Sequence, residues 1–131
     1  MGILVEQLTV IITKIIGGLG NQMFQYAAGR ALALANGCQL KLDISGFDNY
    51  GLHNGYELVL FDIKAEIASV EEVSRFVGPS PRIAKFVRQR TGLGKKSYCL
   101  ERNFSFDVGF FGKTPPLYLD GYWKSCKYFE P

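Results

Sequence analysis

The chain has 131 residues, 47% of them apolar and 21% charged, with a net charge of +3. That length suits one domain and the apolar fraction excludes intrinsic disorder. The mild basic excess, gathered mostly in one local run, gives no argument for nucleic acid as a partner. Cys38, Cys99 and Cys126 are odd in number and form no CxxC pair, which argues against a disulfide framework or zinc site and fits reduced thiols in a cytoplasmic setting.

Met1 to Thr9 reads as an N-terminal extension ahead of the first element. Glu6 and Gln7 interrupt its apolar run and no basic stretch precedes it, so it reads as neither a signal peptide nor a membrane span. Val10 to Ile16 is predicted as a strand, because its β-branched, near-continuous apolar run suits burial on both faces. Gly17-Gly18-Leu19-Gly20 breaks it. Asn21 is expected to cap a helix from Gln22 to Asn36, with Gly37 as its stop. On that helix Ala27, Ala28, Ala31 and Leu32 are the expected face toward the sheet. Cys38 to Ile44 returns as a strand, completing the βαβ unit of an open parallel sheet.

Ser45 to Tyr56 reads as loop, with His53 as a surface residue inside it. A short strand is expected around Ile63 to Ile67. Ser69 with Glu72 forms a capping box that opens a short helix to Val77. Pro81 to Arg90 is predicted as a second short helix and Thr91 to Lys96 as a turn. Ser97 to Phe106 and Leu117 to Asp120 are strand candidates, and a further helix is expected to start at Ser125. The basic residues Arg82, Lys85, Arg88, Arg90, Lys95 and Lys96 read by default as a solvated face, with peripheral contact to acidic lipid as the sharper alternative. Gly94-Lys95-Lys96-Ser97 fails as a P-loop, since Lys96 stands where serine or threonine is needed.

A glycine-rich turn between a buried strand and a helix is where α/β folds accept anions, because the backbone can approach the ligand and the helix N-terminus offers unpaired N–H groups. Here Gly18-Leu19-Gly20 is followed by Asn21, Gln22 and Met23, so the third glycine of the dinucleotide fingerprint is missing. Asp43 stands at the distance typical of a ribose-binding carboxylate, which keeps a dinucleotide domain among the alternatives. A tight turn without ligand is another. Asn21 and Gln22 can donate and accept hydrogen bonds without charge, which suits a sugar or a phosphate oxygen.

The stretch Gly17 to Ala33, GGLGNQMFQYAAGRALA, resembles the signature of glycosyltransferase family 11, the α-1,2-fucosyltransferases. Leu40 to Tyr50, Tyr56 to Ser69 and Tyr118 to Phe129 agree with that family in order. The resemblance runs from about Val10 to the end of the chain.

The resemblance implies an α/β fold with a Rossmann-like open parallel sheet, here the N-terminal, acceptor-side domain of a GT-B-like glycosyltransferase over residues 10–131. The C-terminal donor-binding domain is then absent from the chain. It implies inverting, metal-independent transfer of L-fucose from GDP-fucose to the 2-hydroxyl of a galactose in a glycan, with no cofactor. The family's His-x-Arg-Arg-Gly-Asp motif does not occur here, so the isolated chain is expected to be inactive. Asn21 is the expected catalytic residue, contacting fucose or the β-phosphate. Gly17, Gly18, Gly20 and Gln22 are expected to line the cleft, with Asp120 orienting a hydroxyl and Tyr122 and Trp123 as aromatic platforms. For Tyr122 and Trp123 the alternative is packing, and for Asp120 a turn role beside Gly121. A non-catalytic carbohydrate- or nucleotide-binding module is the alternative function. Apolar surface is expected to be exposed around Tyr122, Trp123, Tyr128 and Phe129.

Overall fold

In a computed structural model, residues 9–78 and 97–130 are described. Five strands form one parallel sheet: β1 (Val10–Lys14), β2 (Gln39–Asp43), β3 (Glu66–Ile67), β4 (Tyr98–Leu100) and β5 (Leu117–Asp120), in the order β3-β2-β1-β5-β4. Two helices accompany them, α1 (Leu19–Asn36) and α2 (Val70–Val77). The fold is α/β and Rossmann-like, as expected from the strand–turn–helix–strand pattern. The expected helix Pro81 to Arg90, the turn to Lys96, most of the basic run and most of the N-terminal extension lie outside the described residues.

β1 is central, and this explains its apolar run. Ile11 and Ile15 face α1, packing with Ala28, Leu32, Leu40, Leu42, Leu117 and Leu119, while Val10 and Ile12 face α2 with Tyr118, Val73 and Phe76. The two helices cover opposite faces, so a strand between them has no polar side to show. The helix sits close because Gly29 faces Thr13: a Cβ at Gly29 would lie 2.2 Å from Thr13 Oγ1. On the other face, Lys41 of β2 pairs with Glu72 of α2, and Glu72 also closes the expected capping box with Ser69.

Several boundaries differ from the sequence reading, each for a local reason. α1 begins at Leu19 with Gly18 as N-cap in extended geometry, so Asn21 is not the cap but lies inside the first turn. Gly37 is the left-handed stop expected, at φ 60. β3 is only two residues, because Tyr26 OH accepts from Lys64 N–H and Ile63 N–H turns back to Phe61 O, holding the approach off the sheet. β4 ends at Leu100, beyond which Asn103 caps a turn at Ser105. The helix expected at Ser125 is a 3-10 turn, Cys126–Tyr128, with Ser125 Oγ accepting from Lys127 N–H. That turn folds Tyr128 inward, so Trp123 and Tyr128 are 1% and 0% exposed rather than open to solvent. They pack against Phe110, with ring centroids 5.3 and 4.7 Å from it.

Candidate functional site

Parallel strands all deliver their following loops to one edge of the sheet. In open sheets ligands bind outside that carboxyl edge, where sequence order breaks between neighbouring strands. Here the break lies between β1 and β5, with Thr13 opposite Leu119. It places the Gly17–Asn21 turn beside Asp120, Gly121 and Tyr122. Gln25 of α1 ties the two lips together: its Oε1 accepts from Ile16 N–H at 3.0 Å and its Nε2 donates to Gly121 O at 3.2 Å.

On the first lip, Gly17 takes φ 86 and Asn21 lies against it: a Cβ at Gly17 would stand 2.7 Å from Asn21 Nδ2. Asn21 is half-buried and its side chain hydrogen-bonds to no described residue, so its amide is uncommitted. Gly20 is exposed, and a Cβ there would meet nothing within 4 Å. Gly18 is overhung by His53, whose Nδ1 would lie 3.4 Å from a Cβ at that position.

Gln22 requires a correction. It is 0% exposed, its Nε2 donates to Gly17 O at 2.9 Å and Gly55 O at 2.8 Å, and its Oε1 accepts from Glu57 N–H at 2.9 Å. A side chain so engaged is a fastener between the glycine turn and the 53–57 loop, not part of the cleft wall. Its position one step round the helix from Asn21 points it at the sheet, a consequence of α1 starting at Leu19.

On the second lip, Asp120 ends β5 and is not a turn residue. Its Oδ2 accepts from Tyr98 OH and its Oδ1 lies 3.7 Å from Lys14 Nζ. Tyr122 is 36% exposed, with Lys124 Nζ 5.3 Å from its ring centroid. Trp123 is the second correction: its indole is buried in the aromatic core, so it packs and offers no open platform. It adopts φ 56, held by Glu101, whose two carboxylate oxygens each accept from a backbone N–H, Tyr122 and Trp123, at 3.0 Å. Gly121 is needed for that approach, since a Cβ there would lie 2.4 Å from Glu101 Cβ.

Asp43 is not free to hold a ribose. It is 5% exposed, and its carboxylate accepts from Ser45 N–H at 3.0 Å, Ser45 Oγ at 2.7 Å and Tyr118 OH at 2.5 Å. Burial first, and then the hydrogen bond to Asp43, push the Tyr118 phenol far up, so it stays a proton donor to that carboxylate. With the third glycine missing from the outset, the dinucleotide alternative thereby loses the support that Asp43 gave it.

Sequence reasoning passed over Gln25, Glu101 and the contact of His53 with Gly18. Gln25 had a readable signal, a second glutamine at helical spacing from Gln22 on a face otherwise made of small apolar residues. Glu101 and His53 had none, because their roles come from loops packed across the sheet. Among the described residues no group of three or more His, Cys, Asp or Glu side chains could hold a metal ion, and no helix is long and apolar enough to cross a membrane.

Fold and cleft together define a Rossmann-like α/β domain with a glycine turn, a free amide and an exposed aromatic at its carboxyl edge. Over 127 residues the chain is 32% identical to the α-1,2-colitosyltransferase of Escherichia coli, a match that covers 93% of this chain and 41% of that protein. The chain thus spans about two-fifths of the length of a glycosyltransferase to which it is similar almost from end to end. No family model matches the chain, and no solved structure matches it.

Proposed function

We propose that the chain is the acceptor-side domain of an inverting, metal-independent α-1,2-glycosyltransferase of GT-B-like build. In this reading it moves L-fucose from GDP-fucose to the 2-hydroxyl of a galactose in a glycan. The observation that carries the reading is the span of the similarity: at 93% coverage it takes in both the glycine turn and Asp120, the two lips of the cleft. A likeness confined to the βαβ unit would have supported only a generic anion-binding turn.

The site suits the chemistry. As the glycosyl–phosphate bond breaks, negative charge grows on the departing nucleotide, and the sugar passes through an oxocarbenium-like state. Asn21, with an uncommitted amide at the start of α1, is the residue to meet that charge or a sugar hydroxyl. Gly20 leaves the backbone open to approach, whereas Gly17 is buried under Asn21 and Gly18 is overhung by His53. Asp120, held between Tyr98 and Lys14, orients an acceptor hydroxyl from the opposite lip, and Tyr122 offers a ring face to pyranose C–H groups. Positioning of this kind supplies much of the rate of a group transfer.

A second donor is favoured by one observation, the name of the similar protein. Colitose is fucose without its 3-hydroxyl, so the two donors differ by one hydrogen-bonding group. The test is to express the protein from its full reading frame, offer it GDP-fucose or GDP-colitose with lactose, and analyse the products by mass spectrometry and linkage analysis. A 2-linked fucosyl-lactose is the expected product. A colitosyl product alone replaces the donor but keeps the reaction. Binding of lactose or donor without transfer leaves a carbohydrate- or nucleotide-binding module in its place.

A further inference from the structure

The chain contains one histidine, His53. In the sequence it stands in a polar loop with no partner in view. In the structure it is exposed, yet it is fixed from three sides. Its ring edge lies on Gly18, with Nδ1 and Cε1 at 3.4 and 3.5 Å from where a Cβ would be. The Tyr50 ring stands 6.3 Å away at a 31° tilt, itself braced edge-on by Phe47 at 5.4 Å. The backbone of His53 takes φ 58, a left-handed conformation uncommon outside glycine and asparagine, which persists only when the surroundings impose it. What imposes it is Gln22, which grips the same loop at Gly55 O and Glu57 N–H from inside the core.

The result is a matched pair on consecutive glycines. Asn21 lies against Gly17 and His53 against Gly18, both at the turn that follows β1 at the carboxyl edge of the sheet. Transfer to a hydroxyl needs a group to take its proton as the oxygen attacks, and imidazole is the side chain best suited to that near neutral pH. The other groups at the glycine pair are unfit. The Asn21 amide is a poor proton acceptor, and Gln22 is buried and fully bonded. Across the cleft Asp120 is engaged by Tyr98 and Lys14.

We propose that His53 is the general base of the transfer, the group that takes the proton of the acceptor hydroxyl. The proposal rests on the glycosyl-transfer reading above. In the step, the acceptor oxygen forms a bond to the anomeric carbon. The bond from that carbon to the nucleotide phosphate oxygen breaks, and its electron pair leaves with the phosphate. The hydroxyl proton passes to a ring nitrogen of His53, which then loses it to solvent.

The test compares His53→Gln and His53→Ala with the unsubstituted protein in the transfer assay. The expected result is a kcat about 100-fold lower or worse with KM little changed, and partial recovery of His53→Ala when free imidazole is added. A kcat within about threefold of the unsubstituted protein, or a loss confined to KM, overturns the proposal while leaving the transfer reading standing. Absence of transfer by the unsubstituted protein counts instead against the transfer reading. A second measurement then decides on His53. The 131-residue chain gives a single imidazole Cε1–H resonance, which is expected to shift on titration with lactose. A signal unmoved at the highest lactose concentration overturns the proposal.

Discussion

Gln25 and Gly121 are joined by a hydrogen bond from the Gln25 amide to the Gly121 carbonyl at 3.2 Å, and the same amide group holds Ile16 N–H at 3.0 Å. One side chain, 1% exposed, therefore fixes the spacing between the two lips of the cleft. Gln25→Ala leaves a donor and an acceptor unpaired near the core, each costing about 1–3 kcal/mol when water cannot replace the partner. The expected loss is about 2 kcal/mol or more in urea denaturation. A loss below about 0.5 kcal/mol would show that water reaches both groups and that Gln25 does not set the gap.

Two glycines of the same cleft are expected to behave oppositely. At Gly121 a Cβ would lie 2.4 Å from Glu101 Cβ and 3.0 Å from Trp123 Cε2, so Gly121→Ala must displace the loop that Glu101 holds. The expected cost is about 1–3 kcal/mol, the usual range for overpacking. At Gly20 an added Cβ meets nothing within 4 Å and the residue is already helical, so Gly20→Ala is expected to raise stability by about 0.5 kcal/mol. Thermal melts of the two variants check this. Equal and opposite ranking, with Gly20→Ala the more damaging, would remove the packing argument for Gly121.

The sheet was legible in the sequence because β1 and the β1–α1–β2 unit follow from local pattern: a β-branched run, a glycine turn, an alanine-rich helix and Gly37 as its stop. The capping box at Ser69 and Glu72 was legible for the same reason. β5 could be seen as a strand, but nothing in Leu117 to Asp120 says that it lies beside β1, and the cleft depends on that adjacency. The resemblance of the glycine stretch to a glycosyltransferase signature pointed to the glycine turn and the end of β5 without their geometry. It could not separate Asn21, whose amide is uncommitted, from Gln22, whose amide is consumed inside the protein, since the helix start decides which of them turns inward. For Trp123 the sequence left both a platform and a packing role open, and the inward fold of Tyr128 decides for packing.

The contact between α2 and the sheet carries a pH signature. Burial raises the Glu72 carboxyl, but the Lys41 ammonium and the Ser69 backbone N–H outweigh it and hold the group below its ordinary value of 4.5. A carboxyl depressed in the folded state contributes stability above its ordinary value, and that contribution fades as pH falls through the folded value. Glu72→Gln keeps a side chain able to reach back to Ser69 N–H, so it isolates the ion pair with Lys41. Because the pair is partly exposed, the expected cost is about 0.5–1 kcal/mol at about pH 7, and it shrinks at a pH well below the ordinary value of 4.5. Urea midpoints of both proteins at the two pH values check it. A gap that persists unchanged in acid would assign the loss to the cap and not to the charge.

Asn21 and Gln22 are adjacent in sequence and are expected to fail in different ways. Asn21 hydrogen-bonds to no described residue, and alanine is the better helix former, so Asn21→Ala should leave the melting transition within about 0.5 kcal/mol of the original. If its amide meets charge that develops in the transfer, the rate should fall about 100-fold to 1000-fold, the usual effect of removing one such donor. Gln22→Ala removes the fastener from Gly17, Gly55 and Glu57 together, so its first effect should be on stability, about 2 kcal/mol or more, with the orientation of His53 lost alongside. Calorimetry and the transfer assay run on both variants separate the two roles. An undiminished rate for Asn21→Ala would take Asn21 out of the mechanism. A stable Gln22→Ala protein would mean that the 53–57 loop is held by its own aromatic packing of Tyr50, Phe47 and Tyr56, and that the buried amide is dispensable to the site.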